Sequence, residues 1–129
     1  MAGELILIVE DNFKNLKLFR DLLELKGFKV LGAQTGKEAI NILGEQKPEL
    51  ILMDILLPDI NGLEAVKLLK AKPDTKDIPI VALTSLAMPD DRAHCLEAGC
   101  LDHIAKPIDT KGFVEKVEGI IRRAKGKKL

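Results

Sequence analysis

The chain has 129 residues, of which 47% are apolar and 31% are charged, and its 20 basic residues balance 20 acidic ones. This length suits one domain with a proper hydrophobic core, so we expect a single domain over residues 1–129 with a basic tail at about 122–129. A net charge of zero and the lack of Trp and Tyr argue against nucleic acid as a partner. Because the sequence shows no leader and no membrane-spanning apolar run, we expect no membrane partner and a cytoplasmic location.

Five short apolar runs alternate with helical patterns, which is typical of a parallel α/β sheet with helices on both faces. In chain order, the predicted strands cover roughly residues 5–9, 28–33, 50–54, 80–84 and 102–105. Five such units favour a flavodoxin-like, doubly wound sheet with strand order 2-1-3-4-5. In that order the first and third strands are neighbours, and ligands bind beyond their carboxyl ends.

The helix boundaries carry local signals of their own. The segment Thr35-Gly36-Lys37-Glu38 is a capping box that begins the second helix, and Pro89 suits the first turn of the fourth. Gly27 and Gly99 stand where helices commonly end in a left-handed residue. The last helix has a single apolar stripe formed by Phe113, Val114, Val117, Ile120, Ile121 and Ala124.

Polar side chains follow four of the predicted strands. Glu10 and Asp11 follow the first, Asp54 ends the third, Thr84 ends the fourth, and Lys106 follows the fifth. Carboxylates at the tips of buried strands must be paired, hydrated or bound to a cation, and oxygen ligands without His or Cys favour Mg²⁺, with Mn²⁺ or Ca²⁺ as alternatives. Such a cation, the Lys106 ammonium and the Thr84 hydroxyl are the groups needed to hold a phosphoryl group. An aspartate such as Asp54 can carry an acyl phosphate. Unrelated helix caps would account for the acids but not for the lysine and threonine.

These residues resemble the receiver domain of two-component response regulators, and the resemblance covers essentially the whole chain. The segments that carry it are Ile8-Val9-Glu10-Asp11-Asn12, Leu52-Met53-Asp54-Ile55, Leu57-Pro58-Asp59-Ile60-Asn61-Gly62, Val81-Ala82-Leu83-Thr84-Ser85, Ala98-Gly99-Cys100 and Lys106-Pro107-Ile108. Within the family, Ala87-Met88 and Glu97-Ala98-Gly99-Cys100 resemble stand-alone DivK-type cell-division receivers and the receivers of hybrid kinases.

The resemblance implies a signalling module whose only chemistry is its own phosphorylation and dephosphorylation. Asp54 would accept the phosphoryl group from a histidine kinase or a histidine phosphotransfer protein, and the modification would switch binding to a downstream protein. Lys106 would pair with the phosphoryl group, and Thr84 would couple that group to the switch. The resemblance also implies a cis bond before Pro107 that directs Lys106 into the site.

The implied cofactor is Mg²⁺, held by Asp11, Asp54 and the backbone carbonyl of Leu56, with Glu10 acting through water. Leu56 and Leu86 flank the approach of water in receivers, so two leucines there predict a long-lived acyl phosphate.

One position departs from the family pattern. The switch position three residues before the lysine usually holds Tyr or Phe, and here it holds His103. His103 is either a switch residue with a smaller ring or a half-buried residue of the edge strand. We expect His94 to face solvent, and Cys95 and Cys100 to be ordinary reduced thiols because they fit no metal or redox spacing.

Two surface features can each be interpreted in two ways. The first helix has one stripe typical of a core, at Leu16, Phe19 and Leu23, and a second at Leu18, Leu22 and Leu25. The second stripe is either part of a wide buried face or a docking patch for the phosphodonor, in which Leu18 and Leu22 would take part. The basic tail is either a solvated helix end or a contact for nucleic acid; its residues are Arg122, Arg123, Lys125, Lys127 and Lys128.

Two other functional classes fit the fold less well. A phosphatase or FMN-dependent enzyme would use Asp54, but the loop after the first strand is acidic and would repel a nucleotide phosphate. A second Asp two residues after the nucleophile, another phosphatase signature, is replaced by Leu56. A phosphorylation-independent scaffold would not need the intact acidic residues and lysine.

Overall fold

Strands and helices alternate along the residues that the computed structural model describes, which are 3–85 and 89–127. The strands are β1 (Leu5–Val9), β2 (Lys29–Ala33), β3 (Leu50–Asp54), β4 (Ile80–Thr84) and β5 (Asp102–Ala105). The helices are α1 (Phe13–Glu24), α2 (Gly36–Leu43), α3 (Gly62–Ala71), α4 (Pro89–Ala98) and α5 (Thr110–Lys127). The five predicted strands are confirmed, although β2 begins one residue later than the predicted range.

The strands form one parallel sheet in the predicted order β2-β1-β3-β4-β5. Every residue of β3 and β4 is buried, because helices cover both faces of a parallel sheet. β1 and β3 are neighbours, with Val9 paired to Met53. The residues that follow Val9 and Met53 therefore emerge side by side at the carboxyl edge of the sheet.

Successive apolar residues of each strand point to opposite faces and form two cores. Leu7 and Val9 pack with α2, α3 and α4 on one face, while Ile6 and Ile8 pack with α1 and α5 on the other. On the second face the rings of Phe19 and Phe113 stack with centroids 5.2 Å apart. This contact joins α1 to α5.

The predicted helix ends are largely confirmed. Thr35 Oγ1 accepts a hydrogen bond from the Glu38 amide at 3.0 Å, while the Glu38 carboxylate accepts from the Gln34 amide instead of the Thr35 amide expected in a capping box. Gly27 and Gly99 have φ of +92° and +115°, which is the left-handed conformation expected after a helix. α4 begins at Pro89 as predicted.

Cys95, on α4, and Cys100, shortly after α4, are buried and form no disulfide. Burial, with a smaller effect from Cys95, raises the pKa of Cys100 to about 12, so this thiol is neutral at physiological pH. His94 is exposed as expected. Within residues 3–85 and 89–127, no helix has the length and apolarity needed to cross a membrane.

Candidate functional site

Three carboxylates meet at the carboxyl edge of the sheet, where β1 and β3 end. Glu10, Asp11 and Asp54 each place a carboxylate oxygen within 4.8 Å of the others. Glu10 is completely buried and Asp54 is 4% exposed, whereas Asp11 is exposed to solvent. Buried carboxylates this close together require a positive partner.

Lys106, which directly follows the edge strand β5, supplies that partner. Its Nζ lies 2.6 Å from Glu10 Oε1 and 2.9 Å from Asp54 Oδ2. The Lys106 amide donates to the Thr84 carbonyl at 2.8 Å, and the Lys106–Pro107 peptide bond is cis, as the resemblance implied. The side chain therefore bridges the ends of β5, β3 and β1.

The electrostatics of the site follow from its burial. Desolvation, with the nearby Asp54 carboxylate adding to it, raises the pKa of Glu10 to about 7 despite the hydrogen bond from Lys106. Burial alone would lower the pKa of Lys106, but hydrogen bonds to Glu10 and Asp54 more than offset this, so its pKa lies above the ordinary value. Lys106 is therefore a cation that stays charged beside two carboxylates.

Asp54 is held on two sides. Its Oδ2 accepts from Lys106, and its Oδ1 accepts from the Leu56 amide at 2.9 Å. Leu56 also forms an isolated bridge with Asn61, and the residue is 58% exposed. The carboxylate thus has a defined orientation at the end of a rigid strand.

Two residues that hold Glu10 were not assigned a role from the sequence. Glu10 Oε2 accepts from the Asn12 amide at 3.2 Å, and Oε1 accepts from the Asn15 side chain at 3.4 Å. The Asn12 side chain in turn caps α1 by accepting from the Asn15 amide. An Asn before the apolar stripe of a helix is a recognisable cap, but its backbone contact with Glu10 carries no sequence signal.

Two further predicted site residues, Thr84 and His103, lie on β4 and β5. Thr84 is buried at the end of β4 and 3% exposed. His103 is half-buried on β5, with Nδ1 3.6 Å from Asp102 Oδ1 and its carbonyl oxygen accepting from Lys116 of α5. The His103 backbone is therefore tied to α5, and His103 is not a member of the acidic cluster. Leu86, predicted to cover the site, lies outside the described residues.

The two stripes of α1 differ in burial. Leu16, Phe19 and Leu23 are buried as predicted, whereas Leu18 is 40% and Leu25 is 83% exposed. Leu22 is half-buried and packs against the core between the sheet and α5. Leu18 lines a depression of about 300 Å³ that reaches Lys106; its other lining residues are Asn15, Phe19, Ser85, Pro107 and Ile108. The second stripe is therefore partly core and partly an exposed apolar surface beside the site.

The basic end of α5 is partly neutralised within the protein. Arg123 lies 3.4 Å from Asp102, and Lys125 pairs with the largely buried Glu4. These pairs favour the interpretation of the tail as a helix end over a contact for nucleic acid.

The sequence of this chain is similar to those of known proteins. Residues 6–118 match the response regulator receiver domain family. The polar-differentiation response regulator DivK of Brucella anthropi is 41% identical over 116 residues, which cover 90% of this chain and 94% of that protein.

Solved structures give the same assignment. The receiver domain of a sensor histidine kinase from Pseudomonas aeruginosa PAO1, described with a magnesium ion coordinated in its active-site cleft, is 34% identical with a TM-score of 0.83, over 97% of this chain and 99% of that one. A CheY-like receiver domain protein from Methanospirillum hungatei is 25% identical with a TM-score of 0.89, over 98% of this chain and 99% of that one.

Proposed function

This chain belongs to the response regulator receiver domains of two-component systems, which are phosphoryl-accepting signalling modules, and from that premise we propose that Asp54 is its phosphoacceptor. The observation that supports this most strongly is the placement of Asp54. It is a nearly buried carboxylate at the end of β3, fixed by the Leu56 amide and the Lys106 ammonium. No other described carboxylate ends a strand at the centre of the sheet with an ammonium beside it.

The proposed reaction is a transfer between two acceptors. An Asp54 carboxylate oxygen attacks phosphorus, the bond from phosphorus to the imidazole nitrogen of a phosphohistidine breaks, and the imidazole leaves with the electron pair and takes a proton from water. An acyl phosphate forms on Asp54. Lys106 already lies 2.9 Å from Asp54, so its ammonium can pair with the transferred group without a large movement.

Mg²⁺ is the proposed cofactor, and the donor set fits it because the clustered ligands are all oxygens. Asp11, Asp54 and the Leu56 backbone carbonyl would hold the ion, with Glu10 acting through water, and Mn²⁺ would be accepted by the same ligands. The ion supplies charge neutralisation for the incoming phosphoryl oxygens. Asp11 is the exposed member of the cluster, which leaves the site open to an ion from solvent.

The partners follow from the same site. We propose that a histidine kinase or a histidine phosphotransfer protein in the cytoplasm docks on the exposed surface of α1 at Leu18 and Leu22, beside the depression that leads to Lys106. We propose that the phosphoryl group then acts through Thr84 and His103 to change binding of a downstream protein. The α5 surface at Lys116, whose ammonium donates to the His103 backbone carbonyl, is the surface where that change would be read.

Incubation with acetyl phosphate and Mg²⁺, followed by intact-mass measurement, tests the proposal. Wild type should gain one phosphoryl group, and Asp54→Asn, which keeps the size of the side chain, should gain none because an amide oxygen is a poor nucleophile. Asp21→Asn, a change at an exposed carboxylate on α1, should be labelled like wild type. Undiminished labelling of Asp54→Asn would overturn the assignment.

A further inference from the structure

The segment between β3 and α3, residues 55–62, is a closed loop whose base lies against Asp54. The Gly62 amide donates to the Ile55 carbonyl at 2.7 Å, and Leu56 bridges to Asn61. Gly62 has no space for a side chain, because an added Cβ would lie 2.4 Å from the Asp54 carbonyl oxygen. A displacement of the loop is therefore transmitted directly to the backbone of Asp54 and Leu56.

Asp59, at the outer turn of this loop, holds the first turn of α2. Its Oδ1 accepts from the Gly36 amide and its Oδ2 accepts from the Lys37 amide, both at 2.9 Å. These two hydrogen bonds lower the pKa of Asp59, so it remains a carboxylate. A charged acceptor at a helix N-terminus is favoured by the helix dipole as well.

Apolar packing reinforces this contact. An added Cβ at Gly36 would lie 2.3 Å from Ile60 Cγ2, so α2 and the loop are in close van der Waals contact. The loop is thus held between the Asp54 backbone at one end and α2 at the other.

A simple helix cap does not account for the arrangement. α2 already has a local cap, since Thr35 accepts from the Glu38 amide. Gly36 is buried and Lys37 is exposed, and neither amide has an acceptor within its own helix. Asp59 instead reaches them from 23 and 22 residues away in sequence, and so ties two separate parts of the fold together.

We propose that Asp59 is a positioning residue for the metal and phosphoryl site, which fixes the loop carrying Leu56 against α2 and thereby couples the first turn of α2 to Mg²⁺ binding. The inference rests on the proposed function, because it assumes that the Leu56 carbonyl is a ligand of the ion. By linkage, Mg²⁺ should also stabilise the contact between Asp59 and the α2 amides.

Three variants and one control test the coupling. Asp59→Ala removes both acceptors, Asp59→Asn keeps one acceptor without the charge, and Gly36→Ala pushes against Ile60 without changing any charge. Asp74→Ala, at an exposed carboxylate between α3 and β4 on the opposite edge of the sheet, is the matched control. Each is measured for Mg²⁺ affinity by calorimetry, for labelling rate by acetyl phosphate against Mg²⁺ concentration, and for amide hydrogen exchange at Gly36 and Lys37.

We expect Asp59→Ala to weaken Mg²⁺ binding roughly fivefold, the low end of typical coupling between sites, and to raise the Mg²⁺ concentration for half-maximal labelling by the same factor. At saturating Mg²⁺ the labelling rate should stay within about twofold of wild type, because Asp59 only positions the loop. Gly36→Ala should act in the same direction and Asp74→Ala should not. In wild type, Mg²⁺ should slow exchange of the Gly36 and Lys37 amides, and Asp59→Ala should abolish this effect.

A lower melting temperature for Asp59→Ala with an Mg²⁺ affinity equal to that of Asp74→Ala would overturn the inference and leave Asp59 as a cap. Amide exchange at Gly36 that is unaffected by Mg²⁺ in wild type would overturn it as well. Failure of the proposed function is distinguishable, because wild type itself would then remain unlabelled or Asp54→Asn would be labelled.

Discussion

Lys106 lies closer to Glu10 than to the proposed phosphoacceptor: its Nζ is 2.6 Å from Glu10 Oε1 and 2.9 Å from Asp54 Oδ2. Glu10 is completely buried, and the Lys106 side chain is only 17% exposed. The ammonium is thus the positive charge that compensates the two buried carboxylates at this edge of the sheet. If Asp54 is the phosphoacceptor, as we propose, the ammonium is also placed to exchange its bond to Glu10 for one to a phosphoryl oxygen.

Removing that ammonium should destabilise the unmodified protein. Lys106→Met keeps the length of the side chain but leaves the two buried carboxylates without their partner, and we expect a loss of about 2–4 kcal/mol in the free energy of unfolding. Mg²⁺ should recover part of the loss, because it supplies positive charge to the same carboxylates. Urea unfolding of wild type and Lys106→Met with and without Mg²⁺ measures both effects. A loss no larger than that of Lys17→Met, where the ion pair is exposed on α1, would show that the Lys106 pairs are of little importance.

Asp11→Ala should have opposite effects on stability and on metal binding. Without metal, the variant should be more stable than wild type by up to about 1 kcal/mol, because an exposed like charge next to Glu10 and Asp54 is removed. Mg²⁺ binding and labelling should both weaken. Thermal melts across a range of Mg²⁺ concentrations test this. If Mg²⁺ raises the melting temperature of Asp11→Ala as much as that of wild type, the ion binds elsewhere.

The exposed part of the α1 surface should affect the rate of phosphoryl transfer only when the phosphodonor is a protein. Leu18→Ala should slow transfer from the cognate phosphohistidine protein while leaving labelling by acetyl phosphate unchanged, since a small donor needs no docking surface. Leu22→Ala should slow transfer too, with about 1–2 kcal/mol of lost stability because this side chain is half-buried.

The control for docking is Leu68→Ala on α3, whose leucine is 48% exposed against 40% for Leu18. It should leave both donors unaffected. Equal slowing of both donors by Leu18→Ala would show that Leu18 supports the fold or the site rather than docking.

The proposed acyl phosphate should be long-lived because Leu56, whose amide contacts the Asp54 carboxylate, has an exposed apolar side chain. It offers the attacking water no hydrogen bond, and Leu56→Asn should speed hydrolysis about tenfold, a change of about 1.4 kcal/mol in the barrier. First-order decay after removal of acetyl phosphate gives the rate, with Leu68→Asn as the surface control. An unchanged or slower decay in Leu56→Asn would show that water exclusion at this position does not determine the lifetime.

The fold was predictable because the spacing of the apolar residues, the turn residues and the helix caps all indicate the same strands and helices. The one strand boundary that differs has a local cause. Phe28 was placed in β2, but its amide donates to the Leu23 carbonyl as part of the left-handed cap at Gly27, so the strand begins at Lys29. Helix capping takes precedence there over a side chain that favours strands.

The clustering of the acidic residues with Lys106 was predictable from the sequence, but the individual contacts within the cluster were not. Strand order placed Asp54 beside Asp11, whereas the pairing of Lys106 with Glu10 depends on the path of a long side chain across two strands. The contact of Asp59 with Gly36 joins a loop to the first turn of α2, 23 residues away in sequence. Asp is common in loops as a turn residue. The presence of Asp59 in the sequence therefore does not indicate a distant partner.

Locating the phosphoryl group on the chain tests the central claim most directly. Wild type labelled with acetyl phosphate and Mg²⁺ is treated with borohydride, which reduces an acyl phosphate to an alcohol, and is then digested and analysed by peptide mass spectrometry. The account predicts that Asp54 alone is converted to homoserine, and that omission of Mg²⁺ greatly lowers the yield. Reduction at Glu10 or Asp11 with Asp54 unmodified, or a phosphoryl group on a histidine, would contradict it.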